Sequence, residues 1–361
     1  MVLHKKVQFS IFNISILLSL YIVLCSLFVA YQYYQKAHLI YEEQVRFKKS
    51  TTNPETLERH ENGFQWNEDS INKILPTPSA SSLSYINIES YPYIINQPNK
   101  CKDESPFLMF LIETTAREVE NRRAIRATFV NTTGINGTSI KYLFLLGKDS
   151  KQEPNSIAEE SEKYHDIIQK DFQDTYKNLT IKTLMGIEWV SNYCPKAKYV
   201  MKTDSDMYVN TELLLDLLGP DQPQKQNYFT GYLMENNKPH RSIHSKWHMP
   251  HSLYPDEFYP TFCSGTGYVF SGDVAPKILR SSFKVNYVYL EDVFVGICLD
   301  REGIKITKPP KNNLFHNYRV SFDPCVYNRI ITSHYMTPTD LINYWKIAQE
   351  NKEKCLSSRK S

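Results

Sequence analysis

Between positions 107 and 112 the chain reads Phe-Leu-Met-Phe-Leu-Ile, six apolar residues without a polar interruption. A strand with one wet face would alternate, whereas an unbroken run of this length fits a strand covered on both faces in a parallel sheet. The period then changes. Positions 118–129 carry Arg122, Arg123 and Arg126 in a helical stretch, 141–147 supply a second strand, and 156–169 an acid-rich helix. Positions 181–192 place Ile181, Leu184 and Met185 on one helical face, and Tyr199-Val200-Met201 forms a short buried strand bounded by charge. Strand, helix, strand, helix, helix, strand predicts a doubly wound α/β core.

The pattern loosens downstream. Positions 211–218 predict a short helix ended by Gly219-Pro220, and 227–233 another strand. The segment 246–272 is rich in Trp, Tyr, Pro and Gly and predicts no single regular element. At its centre stands Cys263-Ser264-Gly265-Thr266-Gly267-Tyr268, where the glycines mark either a tight turn or a close approach of backbone to a ligand. Positions 291–302 predict an amphipathic helix with Phe294, Ile297 and Cys298 inward and Gly303 as its cap. A final strand holds Ile330, Ile331 and His334, and a helix from Pro338 carries Trp345.

The N-terminus follows another rule. No charged residue lies between Lys6 and Lys36, and 9–30 is dominated by Ile, Leu, Phe and Val, long enough to cross a bilayer. A cleaved signal peptide would have a shorter apolar region and a small-x-small site, and none precedes Tyr31, Tyr33 and Tyr34, which resemble an interfacial belt. The expected organisation is a cytoplasmic tail over 1–7, a transmembrane signal-anchor over 8–30, a stem over 31–100 and a globular domain over 101–361. The stem reading rests on Pro54, Pro76, Pro78, Pro92 and Pro98, the small-residue run 79–82 and the lack of a sustained period. Flanking charge leaves the orientation open, with Lys5 and Lys6 on one side and Arg46, Lys48 and Lys49 on the other.

With 361 residues and 41% apolar content, the chain has ample material for one large domain of roughly 250 residues. Its net charge of +3 gives no footprint for nucleic acid, so none is expected as a partner. Asn131, Asn136 and Asn178 open Asn-x-Thr acceptor triplets, usable in a lumenal compartment. Beyond Cys25 lie Cys101, Cys194, Cys263, Cys298, Cys325 and Cys355, an even number without zinc-site spacing, so disulfides are expected with connectivity unread.

Chemistry concentrates at Lys202-Thr203-Asp204-Ser205-Asp206. Two carboxylates one residue apart, at the carboxyl end of a buried strand, are placed to share a divalent cation with substrate phosphates. The same triplet also occurs in solvated turns. Four further blocks stand in order along the chain: Arg122-Arg123-Ala124-Ile125-Arg126-Ala127-Thr128-Phe129; Asp171-Phe172-Gln173-Asp174-Thr175-Tyr176-Lys177-Asn178-Leu179-Thr180; Tyr259-Pro260 through Gly265-Thr266-Gly267-Tyr268; and Glu291-Asp292-Val293-Phe294-Val295-Gly296. With these blocks the chain resembles the β-1,3-galactosyltransferase family, which also includes β-1,3-N-acetylglucosaminyltransferases and Fringe-like enzymes. Phe129 stands where the family usually has Trp, and Ser205 where many members have a third Asp.

The resemblance implies a GT-A fold (Rossmann-like, with a doubly wound mixed sheet), a type II Golgi membrane protein, Mn²⁺, a UDP-sugar donor and inversion at the anomeric carbon. It implies Asp206 as the principal metal ligand, Asp204 as an orienting or indirect ligand, and His334 as the second protein ligand. Without the family match, His334 reads as a satisfied strand-end histidine. Asp292 matches the base, while Glu291 is expected to hold the helix or the acceptor; both also read as ordinary charge at a helix start. Lys202 and Arg126 are candidates for donor contacts, with surface ion pairing as the default. Trp247, Tyr254 and Tyr268 are either a sugar-stacking wall or core. The expected reaction transfers galactose from UDP-galactose to a glycoprotein or glycolipid in β-1,3 linkage. Transfer of N-acetylglucosamine is the near alternative, and a non-catalytic lectin or partner protein the distant one.

Overall fold

A computed structural model describes residues 85–131, 137–149 and 154–357. Its strands are β1 Tyr93–Ile95, β2 Leu108–Glu113, β3 Ile140–Lys148, β4 Ile167–Gln173, β5 Tyr199–Asp204, β6 Tyr208–Val209, β7 Phe229–Met234, β8 Phe262–Ser271 and β9 Thr332–Ser333. The helices are α1 Val119–Arg126, α2 Pro154–Tyr164, α3 Leu179–Tyr193, α4 Thr211–Leu218, α5 Val274–Ser282, α6 Glu291–Arg301, α7 Pro324–Tyr327, α8 Pro338–Glu350 and α9 Lys352–Ser357.

Among the described residues a seven-stranded sheet runs in the order β1-β4-β3-β2-β5-β8-β7. β2 pairs in parallel with β3 on one side and β5 on the other, while β8 and β7 add antiparallel strands at one edge and β1 at the other. The apolar run of β2 serves both faces. Leu108, Phe110 and Ile112 join one buried cluster with Phe144, Tyr199 and Met201; Met109 and Leu111 join the opposite one with Leu143, Trp189 and Val200. The chain winds from β2 outward through β3 to β4 and then returns to β5 on the other side of β2. The carboxyl ends of β2 and β5, Glu113 opposite Asp204, therefore lie at a topological switch point, where open α/β sheets leave a crevice.

Several expectations change here. The helix expected over 156–169 ends at Tyr164, and β4 follows. The break is made by His165 in a left-handed conformation (φ 50°), with no Gly or Pro to mark it, so the helical pattern reads through. The segment around Gly265 and Gly267 is the middle of the ten-residue β8 rather than a turn. α5 was not anticipated, although Val274, Ala275 and Ile278 recur at helical spacing, and the final strand shrinks to Thr332–Ser333, leaving His334 just beyond it. Helix 211–218 matches residue for residue: Asn210 accepts from Leu213 N at 3.1 Å and Gly219 closes the helix at φ 69°.

The stem expected over 31–100 is also shortened at its far end. Asn87 caps a 3₁₀ turn over Ile88–Ser90, β1 pairs with β4, and Cys101 is bonded to Cys194, so residues from about 85 belong with the sheet. A three-residue edge strand between Pro92 and Pro98 is too short to show a period. The tail over 1–7, the apolar span over 8–30 and the stem up to 84 lie outside the described residues. Among the described residues no helix is long and apolar enough to cross a membrane.

Of the six cysteines expected to pair, four do. Cys101–Cys194 and Cys325–Cys355 have Cα separations of 5.3 and 5.0 Å, whereas Cys263 and Cys298 are free and buried. Peptide mapping of differentially alkylated protein is expected to find Cys263 and Cys298 labelled only after denaturation, and the four bonded cysteines labelled only after reduction. Recovery of a Cys263–Cys298 bridge would refute the assignment.

Candidate active site

The crevice at the switch point is a cavity of about 480 Å³, and both aspartates of the Asp-Ser-Asp triplet line it. Asp204 is the last residue of β5; Asp206 lies in the turn between β5 and β6. The small antiparallel ribbon of β6 and β9 then brings the end of the chain alongside, pairing Tyr208 with Ser333 and Val209 with Thr332. Its next bond runs from Met336 N to Asp206 O at 2.8 Å, so His334 is delivered beside the triplet from 128 residues away in sequence. Asp204, Asp206 and His334 each offer a ligand atom within 4.8 Å of the others.

This donor set fits a divalent cation. Two carboxylates and an imidazole suit Mn²⁺, and ligands at about 2.1 Å and a right angle lie about 3 Å apart; His334 Nε2 and Asp206 Oδ2 are separated by 3.2 Å. His334 Nδ1 lies 3.1 Å from the Asn317 carbonyl, which accepts only from a protonated Nδ1 and so aims Nε2 at the carboxylates. Burial opposes charge on this imidazole, but the bond to Asp206 outweighs it and raises His334 above its ordinary value.

Behind the triplet sits a buried ionic cluster centred on Lys202. Its Nζ donates to Asp204 Oδ1 at 2.8 Å, Gly265 O at 2.6 Å and Glu291 Oε1 at 3.0 Å, and lies 3.2 Å from Glu113 Oε2. Burial disfavours the ammonium, yet Asp204, Glu113 and Glu291 together lift it well above its usual range. Burial also pushes Glu113 up, and Glu291 up to about 8. Thr183 Oγ1 contacts Glu113 at 2.5 Å and Glu291 at 3.2 Å, and Tyr268 Oη donates to Glu291 at 3.2 Å. With its N–H donors occupied in this way, Lys202 holds protein carboxylates; it was expected to contact the donor sugar-nucleotide. Glu291 correspondingly fastens α6 to β5, α3 and β8.

Asp292 faces the same cavity from the start of α6. Its Oδ2 accepts from Gly265 N at 3.1 Å and its Oδ1 from Val293 N at 2.8 Å. Burial raises its pKa above the usual aspartate value, partly offset by these two amides. Gly265 is required: a Cβ there would stand 2.1 Å from Glu291 Oε1. The close approach inferred for this glycine is real, but the approached group is Glu291.

Arg126 is elsewhere. It pairs with Asp166 at 2.8 and 2.9 Å and with Glu160 at 2.7 Å, lies over the Tyr164 ring, and does not line the cavity. Tyr268 is buried core, and Tyr254 packs on Tyr259 with its hydroxyl donating to Phe258 O. Of the three aromatic candidates only Trp247, half-exposed at the rim, reaches the cavity. Three aromatic lining residues were missed, Tyr176, Tyr289 and Tyr335, as were the charged Glu113, Glu118, Lys182 and Lys246. Tyr176 lay inside the Asp171–Thr180 block but carried no assigned chemistry; burial and the charges of Asp292 and Glu291 push its phenol up to about 12.

Residues 120–310 match the galactosyltransferase family, and residues 36–109 match the N-terminal region of β-1,3-galactosyltransferase 2. Human β-1,3-galactosyltransferase 2 is 53% identical over 266 residues, 73% of this chain and 63% of that protein, so this chain spans less than two thirds of that relative's length. Mouse β-1,3-galactosyltransferase 1 is 47% identical over 262 residues, 72% of this chain and 79% of that protein. Among solved structures, a bifunctional glycosyltransferase aligns with a TM-score of 0.37 at 15% identity, covering 70% of this chain and 51% of that one. The family match takes in β3 through α6, and with them Asp204, Asp206 and Asp292; on that match and these identities, the chain belongs to the galactosyltransferase family.

Proposed function

We propose that the protein transfers galactose from UDP-galactose to a hydroxyl of a glycoprotein or glycolipid glycan, in β-1,3 linkage and with inversion, on a GT-A scaffold. The observation that carries this reading is one cavity with a divalent-cation ligand set on one wall and a half-buried aspartate, Asp292, on another. The names of the two relatives support the sugar and the linkage.

Asp204, Asp206 and His334 would hold Mn²⁺. Once bound, the ion acts as a Lewis acid toward the diphosphate and offsets the charge left on departing UDP. The chain's own residues do the rest. Asp292 takes the proton of the acceptor hydroxyl while that oxygen bonds to the anomeric carbon and the bond to the diphosphate breaks on the opposite face. Its burial favours this work, because a carboxylate above the normal aspartate pKa is a better proton acceptor. Gly265 N and Val293 N fix the carboxylate's direction. Lys202 keeps Asp204 and the α6 start in register, and Tyr176, Tyr289 and Trp247 give the cavity aromatic surface for sugar rings.

The same proposal places this domain on the lumenal side of a Golgi membrane, anchored by the apolar segment 8–30 in type II orientation. Its two disulfides support an oxidising compartment.

Incubated with Mn²⁺, glycan acceptors and a panel of UDP-sugars, the 361-residue chain should release UDP in an acceptor-dependent way from UDP-galactose and lose that activity on chelation. Preference for UDP-N-acetylglucosamine would overturn the donor assignment and leave the site reading standing. Asp292→Asn is expected to lower kcat by about 10²–10⁴-fold with little change in donor binding, and a variant of near-normal turnover would remove Asp292 as the base. For the parent, kcat/KM should fall as pH drops through a pKa above the ordinary aspartate range, because protonation silences the base. A profile flat down to pH 4 would contradict this.

A further inference from the structure

Tyr335 follows His334 and is, among the described residues, one of the few non-glycines with positive φ, at 58°. A bulky side chain rarely adopts this left-handed conformation, and where one does the surroundings must hold it there. In extended backbone, successive side chains point to opposite faces, so a residue cannot lay its ring on its neighbour's. Here the reversal at Tyr335 swings its ring back onto His334: the two rings are stacked, with centroids 3.9 Å apart and planes 22° from parallel.

Restraints on both sides keep it there. Arg319 Nη1 donates to the Tyr335 carbonyl at 2.9 Å, and Nη2 reaches Tyr344 Oη at 2.8 Å and Asp340 at 3.0 Å on α8. The next residue, Met336, donates its N–H to Asp206 O. Packing does not explain the conformation, since Tyr335 is 56% exposed and lines the cavity.

The bond from His334 Nδ1 to Asn317 O fixes one direction of the imidazole but leaves it free to tilt about that axis. A flat ring laid against it removes the remaining freedom. The geometry points to Tyr335 as a positioning residue for the cation centre: its strained backbone holds its ring against His334 and fixes the plane in which Nε2 meets Asp206. This rests on the reading of Asp204, Asp206 and His334 as ligands, and it assigns the strain at 335 a function.

Asparagine accepts left-handed backbone readily and carries no ring, so Tyr335→Asn removes the stack while keeping the chain path. Tyr335→Phe keeps the ring and removes only the hydroxyl. The test measures Mn²⁺ binding with UDP present, by the electron paramagnetic resonance signal of free Mn²⁺, together with thermal unfolding of the 361-residue chain. Tyr335→Asn is expected to bind Mn²⁺ about tenfold more weakly, as losses of ligand-orienting groups do, at an unfolding temperature equal to or above the parent's. Tyr335→Phe should match the parent in both. Parent-like Mn²⁺ affinity in Tyr335→Asn overturns the inference, as does weakened binding that comes with a lowered unfolding temperature, or equal weakening in Tyr335→Phe. Asp206→Asn separates the two readings: if it binds Mn²⁺ like the parent, or if the parent binds none, the cation centre itself falls and the role of Tyr335 with it.

Discussion

A single buried ammonium organises the site. Lys202 Nζ reaches carboxylates from β2, β5 and α6 and a carbonyl from β8, elements that sequence alone keeps up to 178 residues apart, from Glu113 to Glu291. Burying Glu113 and Glu291 without a cation between them would cost several kcal/mol each, so the lysine is a condition of the fold as well as of the site. One cation still leaves excess negative charge. Burial first, and that excess after it, pushes Glu113 and Glu291 toward their neutral forms, while Thr183 and Tyr268 supply hydrogen bonds that water would otherwise give.

The cluster also ties together the two walls of the proposed site. Asp204 belongs to the proposed cation wall and Glu291 adjoins Asp292, and Lys202 bonds to both Asp204 and Glu291. Displacement of β5 relative to α6 would stretch one of these bonds. Gly265 completes the arrangement by letting β8 pass close enough for its carbonyl to reach Lys202 and its amide to reach Asp292. Specificity of arrangement, rather than net stability, is what such a buried polar cluster contributes.

The sequence exposed the parts of this design that rest on local pattern. The unbroken apolar run of β2 announced a two-faced strand, Gly219 announced the end of α4, and the Asp-Ser-Asp triplet at the end of β5 announced the crevice. What stayed hidden depends on partners distant in the chain. Arg126 sits in a basic helix that reads as ready for phosphate, but Asp166 and Glu160 claim it once α2 and β4 pack nearby. Tyr268 reads as a possible platform for sugars until β8 is seen to bury it between β5 and β7. Tyr335 gave no signal, because the bonds on either side of this left-handed tyrosine run to partners distant in the chain, from Arg319 to its carbonyl and from Met336 N to Asp206.

Charge on the cavity wall bears directly on what the cavity accepts. Glu113, Glu118, Asp204, Asp206, Glu291 and Asp292 line it against Lys182, Lys202 and Lys246. Two of those lysines are already engaged: Lys202 by its cluster, and Lys182 by Asp174 at 2.7 Å and the Thr114 carbonyl at 2.6 Å. A nucleotide diphosphate entering such a cavity would meet an acidic surface with only Lys246, at the rim, uncommitted to a buried pair. Repulsion between a diphosphate and carboxylates a few ångströms away amounts to several kcal/mol at a protein–water boundary. A divalent cation held by Asp204, Asp206 and His334, as proposed, would ease that conflict, because its charge would offset the two aspartates where the phosphates would lie. The acidic wall and the proposed anionic donor are thus reconciled if a cation joins them, which ties the donor reading to the cation reading.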